Sequence, residues 1–232
     1  MILLCLDTSG PVAGVAIMEN GNIRYEAMAV NSFTHSQSIL PMVEEAYLRT
    51  GLQVENTDYF AVTVGPGSFT GVRIGVSTVK ALAHAAEKKC IAVDALESMA
   101  NGVMPFDGII CPIQDARAGQ VYGAAFEGQS MKRLLADEPI KLEEYLEKVS
   151  AFGKKMLFVG DGMPVHREKI AELLGEKAIF APAHLAFLRP AAAAQLAWEK
   201  QSEAVSYLDL QPLYLRAPQA ERQKNLREKG HE

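Results

Sequence analysis

The sequence lacks any long apolar run. No stretch approaches the ~20 consecutive apolar residues that a membrane-spanning helix needs, and the longest alanine-rich run, residues 191–197, is interrupted by Gln195. The first residues, MILLCLD, carry no basic segment, and their apolar run is too short for a secretory signal peptide. We therefore expect no membrane span and no signal peptide, and we predict a cytoplasmic protein.

Positive charge is also scarce. The chain carries 23 Lys and Arg residues against 28 Asp and Glu residues, which gives a formal net charge of -5. A protein that wraps nucleic acid on its own is usually basic, because lysines and arginines neutralise the phosphates. We therefore do not expect this chain to grip nucleic acid directly, although a basic partner could do so.

Cysteines are few and paired histidines are absent. Cys5, Cys90 and Cys111 are odd in number and lie in apolar, strand-like contexts, which indicates reduced thiols in a cytosolic protein core. Among the five histidines, no two are three or four residues apart, so the sequence contains no helical metal-binding pair. We expect neither a bound metal nor a cofactor.

What the sequence does contain is a similar order of elements in its two halves. In the first half the patterns predict strands at 2–6, 12–18 and 22–30, a helix at 36–50, a strand at 60–64, a helix at 70–87, a strand at 91–93 and a helix at 95–101. In the second half they predict strands at 109–113 and 121–126, a helix at 142–150, a strand at 156–159, a helix at 165–174, a strand at 178–180 and a helix at 190–201.

An acidic residue ends the first strand of each half, Asp7 in one and Asp115 in the other. Together with the repeated order, this indicates a duplicated unit with a boundary near Pro105. We predict an N-terminal lobe at 1–104, a C-terminal lobe at 105–218 and a polar tail at 219–232.

A glycine-rich turn between a strand and a helix, GPGSFTGVRIG at 65–75, is the most informative segment. Free backbone N–H groups at such a helix start can bind an anion. However, the segment lacks the Gly-Lys-Ser/Thr of a Walker A loop and the glycine spacing of the dinucleotide fingerprint. We favour a tight turn capped by Ser68 or Thr70 over a phosphate site.

Both interpretations of this turn stay open, and residues elsewhere could complete a nucleotide or anion site. The candidate residues are Asp7, Thr8, Gly65, Gly67, Ser68, Arg73 and Asp115. Arg73 lies near the start of the helix, where the helix dipole disfavours a cation, so we expect an acidic partner or an anion beside it. A salt bridge within the chain is the more common outcome.

Small residues form a stripe along the helix that follows this turn. A glycine in a helix costs about 1 kcal/mol relative to alanine, so two glycines need compensation, which the close approach of a second helix would supply. The other face, rich in valine, can pack on the sheet. We interpret the small face as a contact for a helix of this chain or of a partner. The candidate partner-binding residues are Gly71, Gly75, Thr78, Leu82 and Ala85, with Ile39 and Val43 on the preceding helix.

Five segments of the chain, in the same order, resemble those of the TsaB (YeaZ) family. They are LDTS at 6–9, HSQSILP at 35–41, the glycine segment at 65–75, DARAGQVY at 115–122 and PLYLR at 212–216. The resemblance covers residues 1 to about 220.

The resemblance implies an actin-like ATPase fold of class α/β with two ribonuclease-H-like lobes. It also implies a non-catalytic subunit that pairs with TsaD, the subunit that transfers a threonylcarbamoyl group to an adenosine beside the tRNA anticodon. TsaE, a P-loop ATPase, joins them, and another enzyme makes the donor. The first-lobe helices would bind TsaD, or a second copy of this chain in a homodimer when it is alone, and the chain would not bind tRNA by itself.

The metal ligands of the catalytic relative are missing. That relative carries two histidines four residues apart, and aligning its HLEGH segment with 95–99 places Ala95 and Met99 at the two histidine positions. The alternative hypothesis is an enzyme, a small actin-like phosphotransferase or ATPase that holds Mg-ATP between Asp7, residues 65–68 and Asp115.

Overall fold

The computed structural model describes residues 1–30 and 33–216. The elements of the first half follow one another along the chain in this order: β1 (Ile2–Asp7), β2 (Ala13–Glu19), β3 (Asn22–Ala29), α1 (His35–Thr50), β4 (Tyr59–Gly65), α2 (Phe69–Ala85), β5 (Lys89–Asp94) and α3 (Ala95–Asn101). The elements of the second half are β6 (Ile109–Asp115), β7 (Gln120–Glu127), β8 (Arg133–Lys141), α4 (Leu142–Ser150), β9 (Met156–Val159), α5 (Gly162–Leu174), β10 (Ala178–Phe180) and α6 (Pro190–Glu199).

One strand was not predicted from the sequence. β8 contains Asp137, Glu138 and Pro139, and within residues 1–30 and 33–216 it is an edge strand whose one neighbour is β7. Charged residues and proline are typical of edge strands, because one side of such a strand faces solvent and needs no ladder hydrogen bonds. The same features conceal the strand from a search for apolar alternation.

The two halves form sheets of identical topology. The strand order is β3-β2-β1-β4-β5 in the first sheet and β8-β7-β6-β9-β10 in the second. In each sheet the first three strands are antiparallel, and the fourth and fifth run parallel to the first. The predicted two-lobed α/β architecture is confirmed.

Two helices lie between the sheets, and each packs on the sheet of the other half of the chain. α6, from the second half of the chain, packs on β1 and β2, whereas α3, from the first half, packs on β6 and β7 as well as on β4 and β5. Their buried residues share one apolar cluster with both sheets. The outer faces of the sheets are covered separately, by α1 and α2 on the first and by α4 and α5 on the second.

The chain returns to the first lobe after α6. Val205 exchanges two backbone hydrogen bonds with Cys90 at the free edge of β5, and Leu210 is buried in the core beneath α1 and α2. The contacts of residues 190–210 therefore lie largely in the first lobe. The predicted lobe boundaries at 104 and 218 stay a prediction, and the predicted tail at 219–232 lies outside the described residues.

The three cysteines are free and buried, as predicted for core thiols. Burial raises the pKa of the Cys90 thiol to about 11 and that of Cys111 to about 12, so neither is a ready nucleophile at neutral pH. In the described part of the chain, no helix combines the length and the apolar character that a membrane crossing requires.

Candidate functional site

An interlobe cleft of about 730 Å³ opens between the two sheets. Its walls are the turn after β1, the glycine-rich turn before α2, the carboxyl end of β6, Asp161 before α5, and residues 212–216, here called the strap. These turns meet because the carboxyl ends of parallel strands in each sheet point to the same edge, which is where ligands bind in open α/β sheets. The cleft is therefore the candidate ligand-binding site of this fold.

The glycine-rich turn is closed on the backbone of the first lobe. The Ser68 N–H donates to the Ser9 carbonyl oxygen at 2.7 Å, and a Cβ at Gly67 would overlap that same oxygen. The Ser68 hydroxyl accepts from the Gly71 N–H at 3.3 Å, which is the predicted helix cap. Two N–H groups that an anion would need are thus already used.

The strap covers the other side of the turn. The Leu213 N–H donates to the Val64 carbonyl at 2.7 Å, and its own carbonyl oxygen would lie 2.6 Å from a Cβ at Gly65. Gly65 has a φ of 121°, a conformation that side chains rarely adopt. The glycine at 65 is explained by close backbone approach rather than by a phosphate.

Among the described residues, Arg73 meets aromatic rings and forms no ion pair with an acidic side chain. Its guanidinium lies 4.1 Å from the centre of the Phe69 ring and 5.8 Å from that of Tyr214, and its Nε donates to the Tyr214 hydroxyl at 2.8 Å. The two rings are 4.8 Å apart. In the part of the chain that the structure describes, a cation–π contact and a hydrogen bond thus connect Arg73 of α2 to the strap.

Asp7 and Thr8 are used inside the first lobe. The buried Asp7 carboxylate accepts from the Ser9 N–H at 3.0 Å and from the hydroxyls of Ser9 and Thr63. Desolvation raises the pKa of Asp7, and these hydrogen bonds offset part of the rise. The Thr8 hydroxyl donates to the Gly71 carbonyl at 2.7 Å. All three bonds to Asp7 go to its Oδ1, so Asp7 Oδ2 has no hydrogen-bond partner among the described residues, whereas the Thr8 hydroxyl is already used.

Asp115 reaches the cleft from the second lobe. Its Oδ1 accepts from the Arg117 N–H at 3.2 Å and lies 3.4 Å from His166 Nε2. Gly67 and Ser68 line the same cleft from the first lobe, whereas Arg73 lies along a different groove. The predicted anion residues are thus only partly assembled around one space.

Two cleft residues, Gln114 and Asp161, and His166 beside Asp115 were missed as a group by the sequence analysis. Gln114 is 2% exposed, and neither Oε1 nor Nε2 of its side chain has a hydrogen-bond partner among the described residues. Asp161 Oδ1 and His166 Nε2 also lack a hydrogen-bond partner there. Burial is the main cause that raises the pKa of Asp161 to about 6, and repulsion by Asp115 and Asp7 adds to it. A glutamine in the apolar strand IICPIQD was the available signal.

The interpretation of the small face of α2 as a contact for a second helix is wrong for its two glycines, which face the chain's own first sheet. A Cβ at Gly71 would overlap the Thr8 carbonyl oxygen, and one at Gly75 would lie 2.5 Å from Thr8 Oγ1 and 3.1 Å from Val62 Cγ2. The glycines allow α2 to approach its own sheet. Sequence periodicity cannot separate this packing from a partner contact, because both require small side chains.

The other candidate partner residues divide by burial. Ile39 and Val43 are buried in the core between α1 and the first sheet, but Ile39 also lines the floor of a groove between α1 and α2, whereas Val43 does not. Thr78 and Leu82 are half-buried, and Ala85 is exposed. A partner role for these positions stays a prediction.

An apolar groove of about 490 Å³ runs between α1 and α2 beside these positions. Leu40, Phe69, Ile74, Ser77 and Thr78 line it, together with Arg73. Leu40 is half exposed at the rim of this groove, where it adjoins the other apolar residues that line it. Of the predicted partner residues, Thr78 and Ile39 line this α1–α2 groove and the other five do not.

Ala95 and Met99 lie on α3 and are buried in the apolar cluster between the sheets. These positions, aligned with the metal ligands of the catalytic relative, therefore face a core rather than the cleft. The absence of a metal and of a cofactor stays a prediction.

Two lobes of identical strand order, joined by exchanged helices and separated by a cleft, define the actin-like ATPase fold. Component A of the (R)-2-hydroxyglutaryl-CoA dehydratase of Acidaminococcus fermentans superposes with a TM-score of 0.51 over 87% of this chain and 99% of its own, at 11% identity, which is a likeness of fold alone.

Closer relatives identify the family. The chain is 33% identical to the tRNA threonylcarbamoyladenosine biosynthesis protein TsaB of Bacillus subtilis, over 95% of this chain and 96% of that protein. YeaZ of Pseudomonas aeruginosa superposes with a TM-score of 0.76 at 26% identity, covering 92% and 99% of the two chains. The family model described as TsaD, tRNA N6-adenosine threonylcarbamoyltransferase, matches residues 29–224. The chain belongs to the TsaB (YeaZ) family of tRNA threonylcarbamoyladenosine biosynthesis proteins.

Proposed function

We propose that this chain is a non-catalytic binding subunit that supports a TsaD transferase in adding threonylcarbamoyl to the adenosine beside the tRNA anticodon. The observation that carries the proposal is the α1–α2 groove, where apolar side chains such as Leu40 and Ile74 lie at the surface of the first lobe. An exposed apolar patch of this kind is typical of a protein–protein interface.

The partner is a second protein of the same pathway. The relatives carry the pathway in their names, and the matching family model is that of the transferase itself. We infer that the groove binds TsaD in the working complex and a second copy of this chain when the protein is alone. TsaE joins the assembly as a further partner.

A catalytic role for this chain has less support. The turn that would hold a nucleotide phosphate is closed by Ser9 and covered by Leu213. The positions of the relative's metal ligands, Ala95 and Met99, are apolar and buried. The net charge of -5 argues against independent tRNA binding. A scaffold needs none of these, since it can act by binding the competent state of its partner better than other states.

Reconstitution tests the proposal. Purified chain is combined with TsaD and TsaE of the same organism, tRNA and the threonylcarbamoyl donor system, and modified adenosine is counted over several turnovers. We expect omission of this chain to abolish or sharply reduce multiple turnover. Full activity without it, or modification by this chain in the absence of TsaD, contradicts the proposal, and ATP turnover by the chain alone supports the enzyme alternative.

A further inference from the structure

The floor of the interlobe cleft carries polar groups whose hydrogen bonds are not made within the described residues. Gln114 is 2% exposed, and neither its Oε1 nor its Nε2 has a partner. Asp161 Oδ1 is in the same condition and lines the same cleft. A buried polar group without a partner costs about 1–3 kcal/mol, so such groups in a native protein call for an explanation, usually a ligand or ordered water.

Gln114 and Asp161 lie near each other because they stand at the carboxyl ends of two neighbouring parallel strands. Gln114 is the penultimate residue of β6, on the side of the second sheet that faces the first lobe, and it pairs in register with Tyr122 of β7. Asp161 follows β9, which is the parallel neighbour of β6. Gly10 of the first lobe closes the gap from the other side, with Gln114 Nε2 at 3.8 Å from the place of its missing Cβ. Two rigid strands therefore hold the unpaired groups at one end of the cleft.

The chemistry of these groups selects a class of ligand. The side-chain amide of Gln114 has a hydrogen-bond acceptor, Oε1, next to a donor, Nε2. A ligand that pairs with both atoms must present an N–H group next to a carbonyl oxygen, as an amide or a ureido group does. Asp161 Oδ1 adds one more acceptor, which a second N–H of the same ligand would satisfy. We propose that this end of the cleft binds a small uncharged molecule through an amide or ureido group, paired with Gln114 and Asp161.

An anionic ligand fits the same end poorly. Asp115 and Asp161 both line it, and a phosphate or carboxylate offers only acceptors to them. Arg117 and Arg216 line the cleft as well, and Arg216 already donates to the Ala116 carbonyl. The Ser68 N–H, the natural anion donor of the glycine-rich turn, is used by Ser9. The volume of about 730 Å³ lies within the range of small-molecule sites, which is about 300–1,000 Å³.

Paired probes on the full chain test the proposal. Benzamide and benzoate have the same shape and differ in the group that Gln114 would meet, and their binding is followed by chemical-shift titration of the labelled protein. We expect benzamide to bind with shifts at residues 114 and 161, and benzoate to bind at least about tenfold more weakly, since roughly two hydrogen bonds separate the two. Mg-ATP is the third probe.

Gln114→Met keeps the length of the side chain and removes its polar atoms, and Gln129→Met, at an exposed glutamine outside the cleft, is the matched control. We expect the first to weaken benzamide binding about tenfold without lowering the melting temperature of the free protein, and the second to change neither. Benzamide that does not bind at millimolar concentration means that water alone fills the site and overturns the proposal. Equal binding of benzoate, binding of Mg-ATP alone at these residues, or unchanged binding in Gln114→Met overturns it as well. The comparison of the two probes on the unmodified chain stands even if the variant does not fold.

Discussion

Arg73 and Tyr214, 141 residues apart in sequence, are joined by a hydrogen bond of 2.8 Å from Nε to the phenolic oxygen, and Phe69 packs against both. Arg73 belongs to α2 and also lines the α1–α2 groove, whereas Tyr214 belongs to the strap and lines the interlobe cleft. Two surfaces of the protein therefore share one three-residue contact. At the far end of the strap, Arg216 donates to the Ala116 carbonyl of the second lobe at 3.3 Å.

The first prediction concerns this contact. Tyr214→Phe removes the hydroxyl and keeps the ring, so the strap should loosen by about 0.5–1 kcal/mol, the value of a hydrogen bond at a partly exposed site. The Leu213 amide, which donates to Val64, should then exchange with solvent about two- to fivefold faster. Tyr207→Phe is the control, because Tyr207 packs on His84 away from the strap. Equal exchange at Leu213 in both variants contradicts the prediction.

The second prediction concerns Gly71. Gly71→Ala should reduce the free energy of unfolding by at least about 2 kcal/mol, because the added methyl overlaps the Thr8 backbone carbonyl, which cannot rotate away. Ala85→Leu on the same helix is exposed and should change it by less than about 0.5 kcal/mol. Urea denaturation of both variants measures the difference. A fully stable Gly71→Ala protein contradicts the assignment of this face to internal packing.

The third prediction concerns an acidic pair between the lobes. Burial, followed by the neighbouring Asp137, raises the pKa of Asp94 to about 8. The other charged groups of this network are Arg133, Glu97 and Lys200. The folded protein therefore holds the Asp94 proton more tightly than the unfolded chain does. Protonated Asp94 contributes to the free energy of unfolding at low pH, and this contribution is lost as pH rises towards 8.

The expected slope is at most about 1.4 kcal/mol of unfolding free energy per pH unit between roughly pH 4 and pH 8. Asp94→Asn should flatten this part of the curve, while its side-chain oxygen can still accept from the Glu97 N–H at the start of α3. Denaturant titrations at pH 5, 6, 7 and 8 provide the measurement. Parallel curves for the two proteins show that Asp94 is not the group responsible.

The fourth prediction concerns the α1–α2 groove. Leu40→Glu introduces a charge at its exposed apolar rim and should weaken binding to TsaD by about 2 kcal/mol, roughly thirtyfold. The same substitution should shift the isolated protein towards monomer in sedimentation experiments. Leu173→Glu, at a similarly exposed leucine on α5 of the other lobe, is the control. Equal losses for the two variants show that the groove is not the interface.

The sequence predicted those elements well whose local residue pattern is enough to identify them. Apolar runs such as ILLCL and FAVTV are buried on both faces of a sheet and need no long-range information to be recognised as strands. β8 was missed because its edge position permits Asp, Glu and Pro, and those residues remove the apolar signal.

The site was harder to predict because its contacts are distant in sequence. The side of α2 on which Gly71 and Gly75 lie became clear only when Thr8 was placed beneath them. The partner of Arg73 lies near the other end of the described chain. Gln114 is conspicuous as a polar residue in an apolar strand, but only the folded protein shows that its amide lacks a partner among the described residues.

Because α3 and α6 each pack on the sheet of the other half, the chain cannot be divided into its two halves without exposing apolar surface. Each half leaves the inner face of its own sheet to be covered partly by a helix of the other half, and Glu26 of β3 binds Arg189 and the Ala191 N–H at the start of α6. Neither repeat is thus an autonomous folding module, although each has a complete sheet. We expect one cooperative unfolding transition for the whole protein and insoluble fragments when the halves are expressed apart. The two halves of the chain should therefore fold together or not at all.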